Sequence, residues 1–276
     1  MKKINYLAVT VACFPIAAYS QGVPYPGEAL VRVISVGPGQ RDAFVACLAQ
    51  NDLPFWRGLK EKGLLARASV FETTSVTSSE PGVPAWNFVF FSHLAEGANA
   101  DSFVQAVENR KGCENAAGVE VRRTERLRSP PNLPTWARET AADDRKAREL
   151  KVEFSIEYMA VNATPEALNR WNEYLRLGAP PLDVLIRDGW FFSAVALETV
   201  KVNYSQAGMP NWNNIHFLGR IPGKDPTARK AALDAALNEL IPGGTSAWTA
   251  RLAAVDSALT TPRVDNVRQL FELAVR

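Results

Sequence analysis

Apolar and polar positions along the chain fall into short runs broken by Gly and Pro, and the same order of runs occurs twice. Branched and aromatic residues over 29–36 and again over 153–161 predict a first strand. A helix follows. In the second half it opens at Thr164-Pro165-Glu166, with Thr as N-cap, Pro in the first turn and an acid near the positive end. In the first half Gly37-Pro38-Gly39 takes that place. Gly63 and Gly189 stop the helices, and second strands are predicted over 64–74 and 190–200. A connection holding Gly82 and Pro84, or Gly208 and Pro210, leads to third strands over 86–93 and 212–220. Second helices are predicted over 101–109 and 226–240. In the latter Leu233, Ala236, Leu237 and Leu240 share one face. A fourth strand fits 119–127, while its counterpart over 263–271 reads as either strand or helix. Pro-rich 129–134 is a linker, and a charged helix over 138–150 bridges the halves.

The repetition extends to residue identity. Shifted by 126 residues, positions 54–91 align without a gap and match at 13 of 38 positions. Chance gives about two at ordinary residue frequencies. The matches include Glu72-Thr73 on Glu198-Thr199, Trp86-Asn87 on Trp212-Asn213, and Phe91 on Phe217. The chain is therefore a duplication.

Strand-helix-strand-strand-helix-strand is the ferredoxin-like split arrangement. One such sheet carries helices on one side only, so its other face needs cover. The pattern resembles the dimeric α/β-barrel superfamily, of the ferredoxin-like, antibiotic-biosynthesis-monooxygenase-like kind, here as a tandem single-chain fusion. That superfamily includes small monooxygenases, haem-degrading enzymes and related binding proteins. The resemblance implies an α+β fold: two ferredoxin-like repeats, 29–128 and 151–276, packed sheet-to-sheet as a pseudodimeric α/β barrel. Segment 129–150 joins them. The haem-degrading branch carries an Asn on strand one, a Trp late in strand three and a His on helix two. Here strand one offers Arg32 or Tyr158, the Trp place holds His93 or Gly219, and helix two has no His. Haem degradation is not expected, and no cofactor is called for.

Residues 1–20 read as a secretory signal peptide: Lys2 and Lys3, an apolar run, then small residues at the two positions that define a cut after Ser20. The run is shorter than the ~20 residues needed to span a bilayer. A periplasmic or secreted protein starting near Gln21 is expected, with lipidation at Cys13 as a minor alternative. The net charge of +2 gives no argument for nucleic acid. After cleavage, Cys47 and Cys113 remain, either bridged or as two buried thiols; an oxidising compartment favours the bridge. The implied fold lays the two helices side by side, which suits a Cys47–Cys113 disulfide.

Alternation assigns strand faces. Ala68, Val70, Ala194 and Ala196 are expected under the helices, with Leu64, Ala66, Trp190 and Phe192. Leu65, Arg67, Phe71, Phe191 and Ser193 are expected between the sheets. Pairing Val70 with Val89 puts Val89, Phe91, Ile215 and Phe217 on the helix side, and Phe88, Phe90, Asn214 and His216 inside. His216 is then a candidate general base inside the barrel, with Asn214, Ser193 and Arg67 as neighbours, or a core histidine. His93 reads as a ligand-binding or strand-end residue. The same pairing sets Glu72 opposite Asn87 and Glu198 opposite Asn213, beside Trp86 and Trp212. These carboxylates are candidate acid–base groups, or each pair is a cross-strand hydrogen bond that fixes its hairpin.

Three functional classes follow: a cofactor-independent enzyme acting on a small hydrophobic or aromatic molecule, a non-catalytic binding protein using the same apolar cavity, or a structural or partner-binding protein with a packed barrel.

Overall fold

The computed structural model describes residues 27–110, 112–130, 149–256 and 259–273. The expected signal peptide, Cys13 and most of the expected 138–150 helix lie outside these residues. Among the described residues no helix is long and apolar enough to cross a membrane.

The first repeat runs β1 (Glu28–Val36), α1 (Arg41–Cys47), α2 (Leu53–Glu61), β2 (Leu65–Ser79), β3 (Phe88–Leu94), α3 (Ala100–Glu108) and β4 (Val119–Arg128). The second runs β5 (Glu153–Val161), α4 (Pro165–Arg187), β6 (Phe191–Ser205), β7 (Asn214–Arg220), α5 (Pro226–Leu240), α6 (Gly244–Asp256) and β8 (Leu259–Leu273). The ambiguous 263–271 segment is thus strand. Helix α6 is an insertion that the repeat pattern does not contain. It follows Gly243 and opens on Gly244, both at positive φ.

Local signals place these elements. Thr164 accepts from Ala167 N at the start of α4, and Asp225 accepts from Thr227 N and Ala228 N at the start of α5. Both helix-to-strand turns are Schellman motifs. Leu64 N bonds Leu59 O and Gly63 N bonds Lys60 O; Trp190 N bonds Leu185 O and Gly189 N bonds Ile186 O. Gly63 and Gly189 sit at φ +68 and +76, where a side chain would be strained. That accounts for the repeated Leu and Gly.

The strands close into one antiparallel barrel in the order β1-β3-β2-β8-β5-β7-β6-β4. Each repeat contributes a four-stranded sheet in ferredoxin-like order, β4-β1-β3-β2 and β8-β5-β7-β6. The two sheets are hydrogen-bonded to each other at both edges, β2 to β8 and β4 to β6. This is closer than stacking: no strand edge is left between the repeats. A disulfide joins Cys47 at the end of α1 to Cys113, at the start of a 3₁₀ turn after α3.

The sheets corrected the expected faces. Val70 pairs with Phe90, not Val89, and Glu72 pairs with Phe88, not Asn87. A one-residue slip exchanges the two faces of a strand. Phe88 and Phe90 therefore pack under the helices with Phe44 and Trp56. Val89, Phe91, Ile215 and Phe217 point into the barrel. Ala68, Val70, Ala194 and Ala196 do lie in the clusters under the helices. Irregularities at Leu65/Arg67 and Phe191/Ser193 invert the start of strand two. Leu65 and Phe191 turn to the helix side and Phe192 turns inward.

Inside, Phe71, Phe91, Phe154 and Phe217 meet with ring centroids 4.9–5.9 Å apart. Tyr158 sits against both Trp86 and Trp212, at 5.1 and 4.9 Å. Eight strands leave an interior just wide enough for side chains to fill, and these aromatic rings occupy it.

Candidate functional site

The duplicated residues hold the barrel shut. Trp86 Nε1 donates to Asp265 Oδ2 at 2.9 Å, and Trp212 Nε1 donates to Glu125 Oε1 at 2.6 Å. Each acid is paired with the arginine two residues before it: Arg263 with Asp265 at 2.7 Å, Arg123 with Glu125 at 2.8 Å. Each arginine lies over the same tryptophan, at 3.7 and 4.2 Å, and donates to its carbonyl oxygen. Thr199 Oγ1 also donates to Glu125. Burial pushes Glu125 and Asp265 upward despite these partners. Each cluster joins one repeat to the other.

Glu72 and Glu198 belong to the same seams. Glu198 bonds Arg128 Nε at 2.6 Å, whereas Glu72 lies between Arg41 Nε at 2.5 Å and Arg268 Nη2 at 2.6 Å. The Arg41 contact, reinforced by Arg268, holds the Glu72 carboxyl below the usual range. The side chains of Asn87 and Asn213 bond elsewhere. Each grips the end of strand one instead: Val36 N donates to Asn87 Oδ1 and Asn87 Nδ2 donates to Val36 O. Asn213 does the same with Val161.

The register slip divides the group expected around His216. Arg67 and Ser193 keep inward positions, and His93, only 9% exposed, joins them in the barrel with its ring stacked on Phe91. It is not a surface residue. Burial, with the Arg67 charge, holds its imidazole well below the ordinary pKa, so it stays neutral. His216 and Asn214 lie outside the barrel wall, beneath α4. Asn214 accepts from Trp171 Nε1 at 3.1 Å. His216 begins a run of stacked rings, His216–Trp171–Tyr174–Trp248, with centroids 5.1, 5.7 and 4.5 Å apart. Its Nδ1 is 3.7 Å from Glu157 Oε2.

The two asparagine clamps align Val36 with Val161, which makes Glu157 the counterpart of Arg32 and His216 the counterpart of Phe90. The pairings agree: Arg32 opposite Phe90, Glu157 opposite His216. Here the repeats differ in charge and chemistry. Arg32, 5% exposed, crosses the Phe90 ring at 5.3 Å and donates through Nη1 to Glu114 Oε1 at 2.7 Å. Burial alone would raise Glu114, but the charges of Arg32 and Arg110 overrule it and hold the carboxyl low. Arg110 also bridges to buried Asp52, whose other oxygen accepts from Cys113 N. Asp52 is turned inward by a π-helical turn, Leu48–Asp52, between α1 and α2. The disulfide and this ionic cluster together fix the 3₁₀ turn that carries Glu114.

Arg32 and Glu114 border a cavity of about 500 Å³ on the outer face of the first repeat. Its apolar lining includes Leu30, Val107 and Val121. The second repeat supplies Tyr204 near the end of β6 and Gln206 just beyond it. Tyr204 is 49% exposed. Nothing local in the sequence marks Glu114, Tyr204 or Gln206 as site residues, whereas Arg32 stands out as a charged residue inside an apolar first strand.

No protein-family profile matches the chain, and no curated protein matches it in sequence. Among solved structures, the encapsulated DyP-type peroxidase from Mycobacterium smegmatis is similar over 92% of this chain and 94% of its own, at 9% identity and TM-score 0.50. A dye-decolorizing protein from V. cholerae covers 90% and 95% at 10% identity and TM-score 0.48. A chlorite dismutase variant from Candidatus Nitrospira defluvii covers 87% and 90% at 10% identity and TM-score 0.43. At such identities a likeness concerns the fold alone, and the one to the Mycobacterium smegmatis peroxidase says that the two chains share an overall fold.

Proposed function

We propose that this chain is a small-molecule-binding protein whose ligand site is the outer cavity of the first repeat, with the barrel interior serving as scaffold. The observation that carries this reading is the cavity itself, about 500 Å³ and bordered by both repeats, beside an interior filled by aromatic rings. Ligand pockets of that size are ordinary for small molecules. Catalysis is the weaker reading, because the acid–base candidates do not converge. Glu72 and Glu198 are tied to arginines on opposite seams, and His216 is stacked beneath α4.

One structural neighbour, a DypB from Rhodococcus jostii RHA1, was solved with haem. The two histidines, the bridged cysteines and Tyr158 of this chain do not suit that group. Haem iron takes an axial His, Cys thiolate, Met or Tyr. Both histidines are packed against aromatic rings, Cys47 and Cys113 are bridged, and Tyr158 is enclosed by two tryptophans.

Native mass spectrometry of the protein purified from its own host tests the proposal. A bound small molecule is expected, and the cavity-filling variant Val121→Trp should lose it. Ligand-free protein from the host would count against a binding role.

A further inference from the structure

We propose that the outer cavity takes an organic ammonium ion, a protonated amine carried on an apolar or aromatic body. This rests on the cavity being the binding site. Its wall carries one guanidinium, Arg32, and three carboxylates, Glu108, Glu114 and Glu120. Arg32 is met by Glu114, which Arg110 also reaches, and the Nη2 of Arg32 is sealed inside the protein. An anion therefore finds no guanidinium to bind. Glu120 is met by Arg122, which does not line the cavity. Glu108 is exposed, and among the described residues it has no ion pair. It is the last residue of α3, whose last turn holds no basic residue. A carboxylate there adds to the negative end of the helix, and a cation beside it offsets both.

The Thr124 hydroxyl is a second and independent observation. Thr124 pairs with Arg32 on β1 and with Tyr204 on β6, so the three residues form one row across the outer face. Thr124 lines the cavity and is only 5% exposed. Among the described residues its hydroxyl makes no hydrogen bond, and the oxygen is open to the cavity. A buried polar group of this kind calls for a partner. Asn115 gives its side-chain N–H to Gly112 O, which leaves its Oδ1 as an acceptor. The wall thus presents mainly acceptors, and an ammonium group has only donors. The exposed Tyr204 ring beside Thr124 supplies an aromatic surface to the same cation. Leu30, Val107 and Val121 take the apolar body.

The test uses the full chain with its disulfide intact and three probes of similar shape near neutral pH: protonated phenethylamine, neutral phenethyl alcohol and anionic phenylacetate. Binding is read from backbone amide shifts at Asn115 and Thr124 on the cavity wall. The amine should bind about tenfold tighter than the alcohol, with phenylacetate the weakest, as expected for a cation beside a carboxylate and an aromatic ring. Glu108→Gln should weaken the amine about threefold and leave the alcohol unchanged. Tyr204→Leu should weaken the amine several-fold. Both positions are exposed, so neither variant disturbs the core. Equal binding of alcohol and amine, or tighter binding of phenylacetate, overturns the inference while leaving the binding role intact. An amine affinity unchanged by Glu108→Gln, or by Tyr204→Leu, overturns it likewise. Silence of the wall amides toward all three probes sinks both readings.

Discussion

Trp86 of the first repeat donates its indole N–H to Asp265 of the second, 179 residues away, and its pseudo-symmetric counterpart Trp212 donates back to Glu125. The two indoles are themselves 5.6 Å apart. Each repeat thus completes the buried polar cluster of the other.

Removing one partner should be costly. Arg123→Met leaves Glu125 buried without its cation, an expected loss of about 3–5 kcal/mol. Adding Glu125→Leu removes the stranded charge, so the double variant should lose less than the single one. Urea unfolding of both measures this, and strictly additive losses would contradict it.

A chain ending at residue 130 keeps β1 to β4 but exposes both seam edges and the inner faces of Phe71, Val89 and Phe91. It should self-associate or precipitate. Light scattering on a size-exclusion column checks this; a folded, soluble monomer would mean that the repeats are independent.

The Cys47–Cys113 bridge spans 66 residues. The chain-entropy account gives it roughly 4 kcal/mol of stability. Cys47→Ala with Cys113→Ala should lower the melting temperature and broaden the amide signals of Glu114 and Asn115. Thiol mapping of the unreduced, unfolded protein should find neither Cys47 nor Cys113 free.

Acid should act through Glu72. Its folded pKa is depressed, first by Arg41, so its contribution is complete above the unfolded value near about 4.3 and is lost as pH falls through the folded one. Glu125 and Asp265, raised by burial, have the opposite sign but remain in both proteins compared. Calorimetry from about pH 6 to about pH 3 should therefore show a shallower fall in melting temperature for Glu72→Gln than for the wild type. Parallel curves would refute the assignment.

The duplication, the ferredoxin-like order of elements and the helix caps are legible along the chain, because each is written in neighbouring residues. The repeat also marks the seam residues, though not their role. Glu72-Thr73 and Trp86 repeat in the second half because closure of each seam needs them, yet their partners across the seam come from strand four of the other repeat, whereas Asn87 and Asn213 repeat because each clamps strand one of its own repeat. Those partners, Arg123/Glu125 and Arg263/Asp265, lie 140 residues apart rather than 126, since α6 interrupts the register. Ser- and Thr-rich 74–79 gave no alternating pattern, because those strand ends are exposed on one barrel edge and are ordered by pairing with β8. The hairpin register is set by packing across the closed barrel and is not written in the strands themselves. A single residue of slip moved His216 and Asn214 out of the barrel and turned His93 into it. The cavity was less legible still. Arg32, Glu114 and Tyr204 come from three distant segments, and nothing local marks residues that meet only when eight strands close.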